Sequence, residues 1–326
     1  FPDRITFSLE GTSNPAVKAI LLKYGSDKRS LVAEVYTIVP EYQEGTEINT
    51  SWDWEMKKTG SLPPGATVWW QWEITDKEGR TTTTPKQSRT YQDTRFQWQA
   101  TRLDTIDIYW HRQSEALKEE LTAELESKLA RIQLNSTIPA ERNPKVFVYN
   151  NSEQLRGAIL HEQKWTGAVA YPDYNIILTA VDINSLDWAK RALPHEITHL
   201  LVGEFTFGPF GDIPRWLNEG LAMYSEGTIT ESEFQRLDKA SKEDKLISVT
   251  SLSSSFPTNR EQASLAYAES GSIVAFLIDD FGWAKMRQLL LVFKEGSTYD
   301  NALQEVYGFD MNGLETHWKE YLREST

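Results

Sequence analysis

The stretch His195-Glu196-Ile197-Thr198-His199 constrains this chain more than any other. On an α-helix, residues four apart share a face, roughly 5–6 Å apart at Cβ. Two imidazoles at that spacing can bind one Zn²⁺, and the adjacent Glu196 can act as general base toward water. Around them sit Trp188, Ala189, Ala192, Leu193, Ile197, Leu200, Leu201 and Val202, apolar on nearly every side. A buried helix carrying such polar groups is expensive unless they are paired or coordinate a cation. The spacing predicts a helix over 187–201 that ends near Gly203, with a kink at Pro194.

A third ligand is available downstream, in Pro214-Arg215-Trp216-Leu217-Asn218-Glu219-Gly220-Leu221-Ala222-Met223-Tyr224. Pro214 suits a first helical turn and Asp212 lies near the place of an N-cap. Glu219 then falls in mid-helix among Trp216, Leu217, Leu221, Ala222 and Tyr224, and the cost of burying a carboxylate applies again.

These two motifs together resemble the gluzincins, metallopeptidases whose zinc ligands are two histidines and a downstream glutamate. The similarity is to peptidase MA-like domains related to the M1 aminopeptidases, whose glutamate helix carries a similar Trp-Leu-Asn-Glu-Gly run. The resemblance implies an α+β, thermolysin-like zincin domain over roughly residues 100–326. It implies that His195, His199 and Glu219 bind zinc and that Glu196 activates water. A tyrosine further along stabilises the oxyanion in such enzymes. Tyr267, in Tyr267-Ala268-Glu269-Ser270-Gly271, is the match here, with Tyr224 and His317 as second candidates. M1 aminopeptidases also anchor the substrate's amine with a glutamate in a Gly-Ala-Met-Glu-Asn strand. The corresponding Thr166-Gly167-Ala168-Val169-Ala170-Tyr171 lacks that glutamate, which favours an endopeptidase over an aminopeptidase.

The rest of the chain separates by pattern near residue 98. Before it come strand-like runs at 4–10, 31–39 and 67–74, divided by turn signals such as Pro63-Pro64-Gly65 and Asp76-Lys77-Glu78-Gly79. Seven or so short strands over residues 1–98 suggest an immunoglobulin- or fibronectin-like sandwich, an accessory domain to the peptidase domain of 99–326. Trp52, Trp54, Trp69, Trp70, Trp72 and Trp98 fall in it. They read as core packing ahead of a carbohydrate surface, although the neighbours Trp69 and Trp70 must point to opposite faces of a strand.

Beyond residue 98 the reading gives strands at 106–110 and 145–149, helices at 113–134 and 153–163, and a hairpin of 166–171 with 175–180. The hairpin's apolar residues suit a sheet edge where a peptide could add as a strand. Helices follow at 231–240, 266–279, 284–295, 301–306 and 312–322, with a loop at 251–255. The order of strands then helices is α+β. His111, His161 and His317 read as surface or helix-end residues.

Composition narrows the partners. A net charge of −13 argues against nucleic acid or an anionic membrane. With no cysteine, packing alone must hold the fold. A start at Phe1 is expected of a processed chain, secreted or at the cell surface, with a peptide or protein substrate and a surface or polysaccharide partner for the first domain. Two further readings of the same residues stay open: a catalytically silent adhesion protein that keeps the fold, and a zinc hydrolase acting on a non-peptide bond.

Overall fold

The computed structural model describes the chain except residues 60–61, 104–105, 133–142, 161–166, 228 and 326. It divides into two compact units. The first comprises Phe1–Thr101, Ile108–Arg112 and Lys145–Asp182, and the second Arg102–Asp107, Gln113–Pro144 and Ile183–Thr326.

The first unit opens with the seven expected strands: β1 (Arg4–Thr12), β2 (Val17–Ser26), β3 (Tyr36–Ile38), β4 (Glu47–Glu55), β5 (Thr67–Asp76), β6 (Thr81–Thr83) and β7 (Gln87–Thr90), with the short α1 (Met56–Thr59) after β4. Ile20, Leu22 and Tyr24 of β2 alternate inward, and a register shift between Val17 and Ala19 lets Val17 join them out of phase. Two sheets face each other across aromatic side chains. Tyr24 lies 5.0 Å from both Trp52 and Trp54, and Phe7 lies 5.7 Å from Trp70. The strand order departs from the immunoglobulin type. β1 pairs with β4 alone, and the second sheet runs β3-β2-β5-β6 with β7 also on β5. The expected strand over 31–39 shrinks to β3, because Leu31, Val32, Val35 and Val39 are exposed and have no sheet to cover.

The tryptophans are packing residues. Trp54 and Trp72 are buried, and Trp52, Trp70 and Trp98 pack against the same core. Trp69 points the other way. It pairs with Gly25 across the sheet and carries the Lys86 ammonium 3.8 Å from its ring centroid. A Cβ on Gly25 would come within 2.9 Å of the Trp69 ring, so glycine is what lets the indole lie flat on its neighbour.

A five-stranded sheet has the order β11-β12-β10-β9-β8, built from β8 (Gln99–Leu103), β9 (Ile106–Trp110), β10 (Lys145–Tyr149), β11 (Ala168–Tyr171) and β12 (Ile176–Ala180). β10 runs parallel to β12, while β11 is antiparallel to it and forms the edge. The hairpin turn is a 3₁₀ turn at Pro172–Tyr174 closed by Asn175 at φ 57°, a left-handed conformation that asparagine tolerates. The helix expected at 153–163 is α3 (Ser152–Arg156).

Phe147, Tyr149, Ile176 and Leu178 share one hydrophobic core with Phe7, Tyr24 and Trp72. The compact units therefore do not part at residue 98. His111 is not a surface or helix-end residue. It is 2 % exposed and stacks on Phe96 at 4.0 Å, a core histidine. The ends of two expected helices (133–134 and 161–163), His161 and Thr166 lie outside the described residues.

The second unit is helical. Its members are α2 (Glu115–Leu129), α4 (Leu186–Thr206), α5 (Arg215–Ser225), α6 (Glu231–Lys242), α7 (Val249–Leu252), α8 (Arg260–Lys294), α9 (Tyr299–Tyr307) and α10 (Met311–Ser325). α2 buries Leu117, Leu121, Leu125 and Leu129 at four-residue spacing and leaves Glu115, Glu119, Glu120 and Glu126 exposed. α8 spans both helices expected at 266–279 and 284–295, interrupted at Gly282 with φ 78°. Ser251 and Leu252, expected in a loop, belong to α7, capped by Ser248 and seated by Val249 and Leu252.

Glu269 of α8 is fully buried. Its Oε1 accepts the Ile247 N–H at 3.0 Å, and its Oε2 has no hydrogen-bond partner among the described residues. Burial raises its pKa from 4.5 to about 8, only partly opposed by the Ile247 N–H and the Lys319 charge, while Glu315 adds to the rise. The unfolded chain then ionises at a pH where the folded chain does not. Folding loses stability as pH climbs from about 4.5 to about 8, by an upper bound of roughly 5 kcal/mol. Glu269→Gln is expected to gain stability over the wild type across that window, read from thermal melts at about pH 5 and about pH 8. An unchanged gap between the two pH values would show that Glu269 is not held neutral.

Candidate metal centre

α4 delivers both histidines. It runs through Pro194 and through Gly203 to Thr206, longer than its sequence suggests. Pro194 has no N–H to give the Lys190 carbonyl one turn back. The Lys128 ammonium of α2 donates to that carbonyl instead, at 2.8 Å. The helix thereby continues through the residue before His195 with that carbonyl satisfied.

α5 delivers the glutamate. Its N-cap is Pro214 rather than Asp212, with extended backbone (φ −61°, ψ 143°) and no side-chain cap. The Arg215 N–H donates instead to the Ser253 carbonyl at 3.3 Å. Gly220, next to Glu219, lets α5 meet α8 closely. A Cβ there would stand 2.3 Å from the Ser270 carbonyl oxygen and 2.5 Å from Val274 Cγ2.

The three expected ligands converge. His195 Nε2 and His199 Nε2 are 3.2 Å apart, and Glu219 Oε2 lies 3.7 Å and 3.4 Å from them. A tetrahedral zinc with bonds of about 2.0–2.1 Å requires ligand–ligand edges of about 3.3 Å. Among the described residues this is the one cluster of metal-type side chains with donor atoms so gathered. The outer ring nitrogens are also fixed. His195 Nδ1 pairs with Glu226 Oε1 at 2.9 Å and His199 Nδ1 with Asn218 Oδ1 at 3.0 Å. With both Nδ1 atoms donating to oxygen acceptors, both Nε2 lone pairs face the centre. Two lone pairs and a carboxylate oxygen in such contact repel one another unless a cation or proton lies between them. The donor set fits zinc.

Where no metal ion lies between the donors, the same crowding draws a proton to the His195 imidazole. Burial pulls the His195 pKa down, but Glu219 and Glu226 overcome it and raise it to about 9. Burial pushes Glu219 up, and the two histidines overcome that and bring it to about 2. Glu226 follows the same logic: burial raises its pKa, while His195 and Arg191 draw it down further. Arg191, one turn before His195 on α4, donates to Glu226 at 2.8 Å and to Glu233 at 3.2 Å.

Glu196 is half-buried and makes no hydrogen bond or ion pair among the described residues, so its carboxylate stays available. Tyr267 lies beside the centre, its ring centroid 6.5 Å from that of His195. Burial raises its pKa and the Glu219 charge adds to this, a hydrogen bond with Arg215 opposes them, and the net shift is upward, so the phenol stays protonated and can donate. Tyr224 packs edge-on against Trp283, and His317 pairs with Glu320 on α10. Sequence reasoning assigned no role to Asn218, Glu226, Arg191 or Arg215. Asn218 lies within the run Trp216 to Gly220, whereas Glu226 carries no signal beyond its place seven residues after Glu219.

Metal-type ligands from two consecutive helices, with a carboxylate left free beside them, define a zincin-like peptidase domain. The Peptidase MA superfamily profile matches residues 125–324, more than half of the sequence, and the chain belongs to that superfamily. Membership carries a metallopeptidase-type function. No curated protein matches the chain.

Glu226→Gln is expected to weaken zinc binding about 10–100-fold, measured by competition with a chelator. Wild-type affinity in that variant would remove Glu226 from the support of His195. Gly220→Ala is expected to cost about 1–3 kcal/mol through overpacking against α8, read from chemical unfolding in metal-free buffer. Wild-type stability would mean that α8 yields.

Proposed function

We propose that this protein is a zinc-dependent endopeptidase of gluzincin type, allied to the M1 peptidases. The observation that carries the reading is the spacing of the His195, His199 and Glu219 donor atoms, 3.2–3.7 Å, which suits a tetrahedral ion. These three side chains would hold the zinc. When bound, it supplies Lewis acidity that makes water a nucleophile near neutral pH and polarises a carbonyl.

The chain's own residues do the rest. Glu196, unpaired and beside the ligands, takes a proton from the attacking water and returns it to the leaving amine. Tyr267 donates a hydrogen bond to the carbonyl oxygen as negative charge grows on it. Glu226 and Asn218 hold the two imidazoles in the tautomer that leaves Nε2 free. The strand β11, with Ala168, Val169, Ala170 and Tyr171, lacks the glutamate that the M1 aminopeptidases carry in the stretch it resembles. This supports internal cleavage over aminopeptidase action.

Glu196→Gln is expected to bind zinc as the wild type does, with peptide cleavage lower by several orders of magnitude. Elemental analysis and a mass-spectrometric peptide-library digest check both. Internal cuts support the endopeptidase, and trimming from one end supports an exopeptidase. Full activity in the variant would overturn the role of Glu196.

A further inference from the structure

Arg215 carries an inference that rests on the peptidase reading and goes beyond it. It is the first residue of α5, one turn before Glu219, and its Nη2 stands 3.3 Å from Glu219 Oε1. Glu219 Oε2 is the oxygen turned toward the histidines, so Oε1 remains with the arginine when the ligand set is engaged. The guanidinium sits 4.9 Å from the centre of the Phe256 ring, and Phe256 in turn packs edge-on against Tyr267 at 5.1 Å. Ring, carboxylate and a hydrogen bond with the Tyr267 hydroxyl hold the cation in place. Its side chain is nevertheless 42 % exposed.

We infer that Arg215 is a specificity-determining residue that selects peptides carrying a carboxylate close to the scissile bond. A guanidinium has more N–H donors than one carboxylate oxygen can use, and its planar fork suits a second carboxylate. The other acidic groups at the centre are already committed, Glu219 to the ligand set and Glu226 to His195 and Arg191. Glu196 is committed to the water. Arg191 is exposed to a similar extent, but Glu226 and Glu233 both pair with it, whereas Arg215 meets one carboxylate oxygen and keeps donors to offer, beside the phenol proposed to meet the substrate carbonyl. The carboxylate can come from an aspartate or glutamate side chain or from a peptide C-terminus.

The experiment compares peptides that differ only by Glu or Gln at positions flanking the cut, each with a free or amidated C-terminus. Cleavage is followed with wild type, Arg215→Gln and Arg215→Lys. Binding of the same peptides is followed by fluorescence anisotropy with zinc-loaded Glu196→Gln protein, with and without Arg215→Gln. Zinc content and thermal melts accompany every variant.

A carboxylate preference of roughly three- to tenfold in kcat/KM or Kd is expected, the scale of a partly exposed ion pair. It should vanish in Arg215→Gln and survive in part in Arg215→Lys, which keeps the charge without the fork. A preference that follows Glu assigns the side chain as source, and one that follows the free terminus assigns the terminal carboxylate. Equal handling of charged and neutral peptides, or a preference that persists in Arg215→Gln, overturns the inference. Failure of the peptidase reading looks different: no peptide is cut by the wild type, while the binding comparison still decides the role of Arg215.

Discussion

Three electron-rich atoms, His195 Nε2, His199 Nε2 and Glu219 Oε2, are held within 3.7 Å of one another, and the helical unit is arranged to withstand that repulsion. Glu226 and Asn218 keep the imidazoles from rotating away. Arg191 balances the charge of Glu226, and Arg215 that of Glu219. Beneath them Gly220 lets α5 lie against α8, and Lys128 repairs the backbone gap that Pro194 leaves in α4. Each support acts on a residue of this cluster or on the helix that carries it.

The centre was legible in the sequence to the extent that it is local. Two histidines four apart need only a helix to meet, and a glutamate in an apolar run signals a burial whose cost some partner must offset. The hairpin β11–β12 was readable for the same reason, since Pro172-Asp173-Tyr174-Asn175 specifies its own turn. What escaped depends on distant residues. His195 and Glu226 are 31 positions apart, and nothing in the motif announces which of many glutamates will reach the ring. The pairing of β1 with β4 spans most of the first fifty residues, and alternation of side chains fixes a face, not a neighbour. His111 was misread because a single histidine carries no period. Only the stacked ring of Phe96 tells that it is core.

Burial alone does not make a carboxylate a ligand, as Glu219 and Glu269 demonstrate within one unit. Both are buried on helices that pack against each other, and for both desolvation is the largest influence, pushing the pKa upward. Glu219 has two imidazoles within 3.7 Å, and their hydrogen bonds and charge reverse the push. Glu269 has one backbone N–H and an orphaned oxygen, and the push prevails. The first remains an anion able to share a lone pair with a metal. The second is a neutral acid that ties the segment before α7 to α8. In sequence the two residues look alike, each a glutamate amid small and apolar neighbours. The difference lies in which neighbours the fold supplies, and a buried glutamate stays ionised here only where the fold brings imidazoles to it.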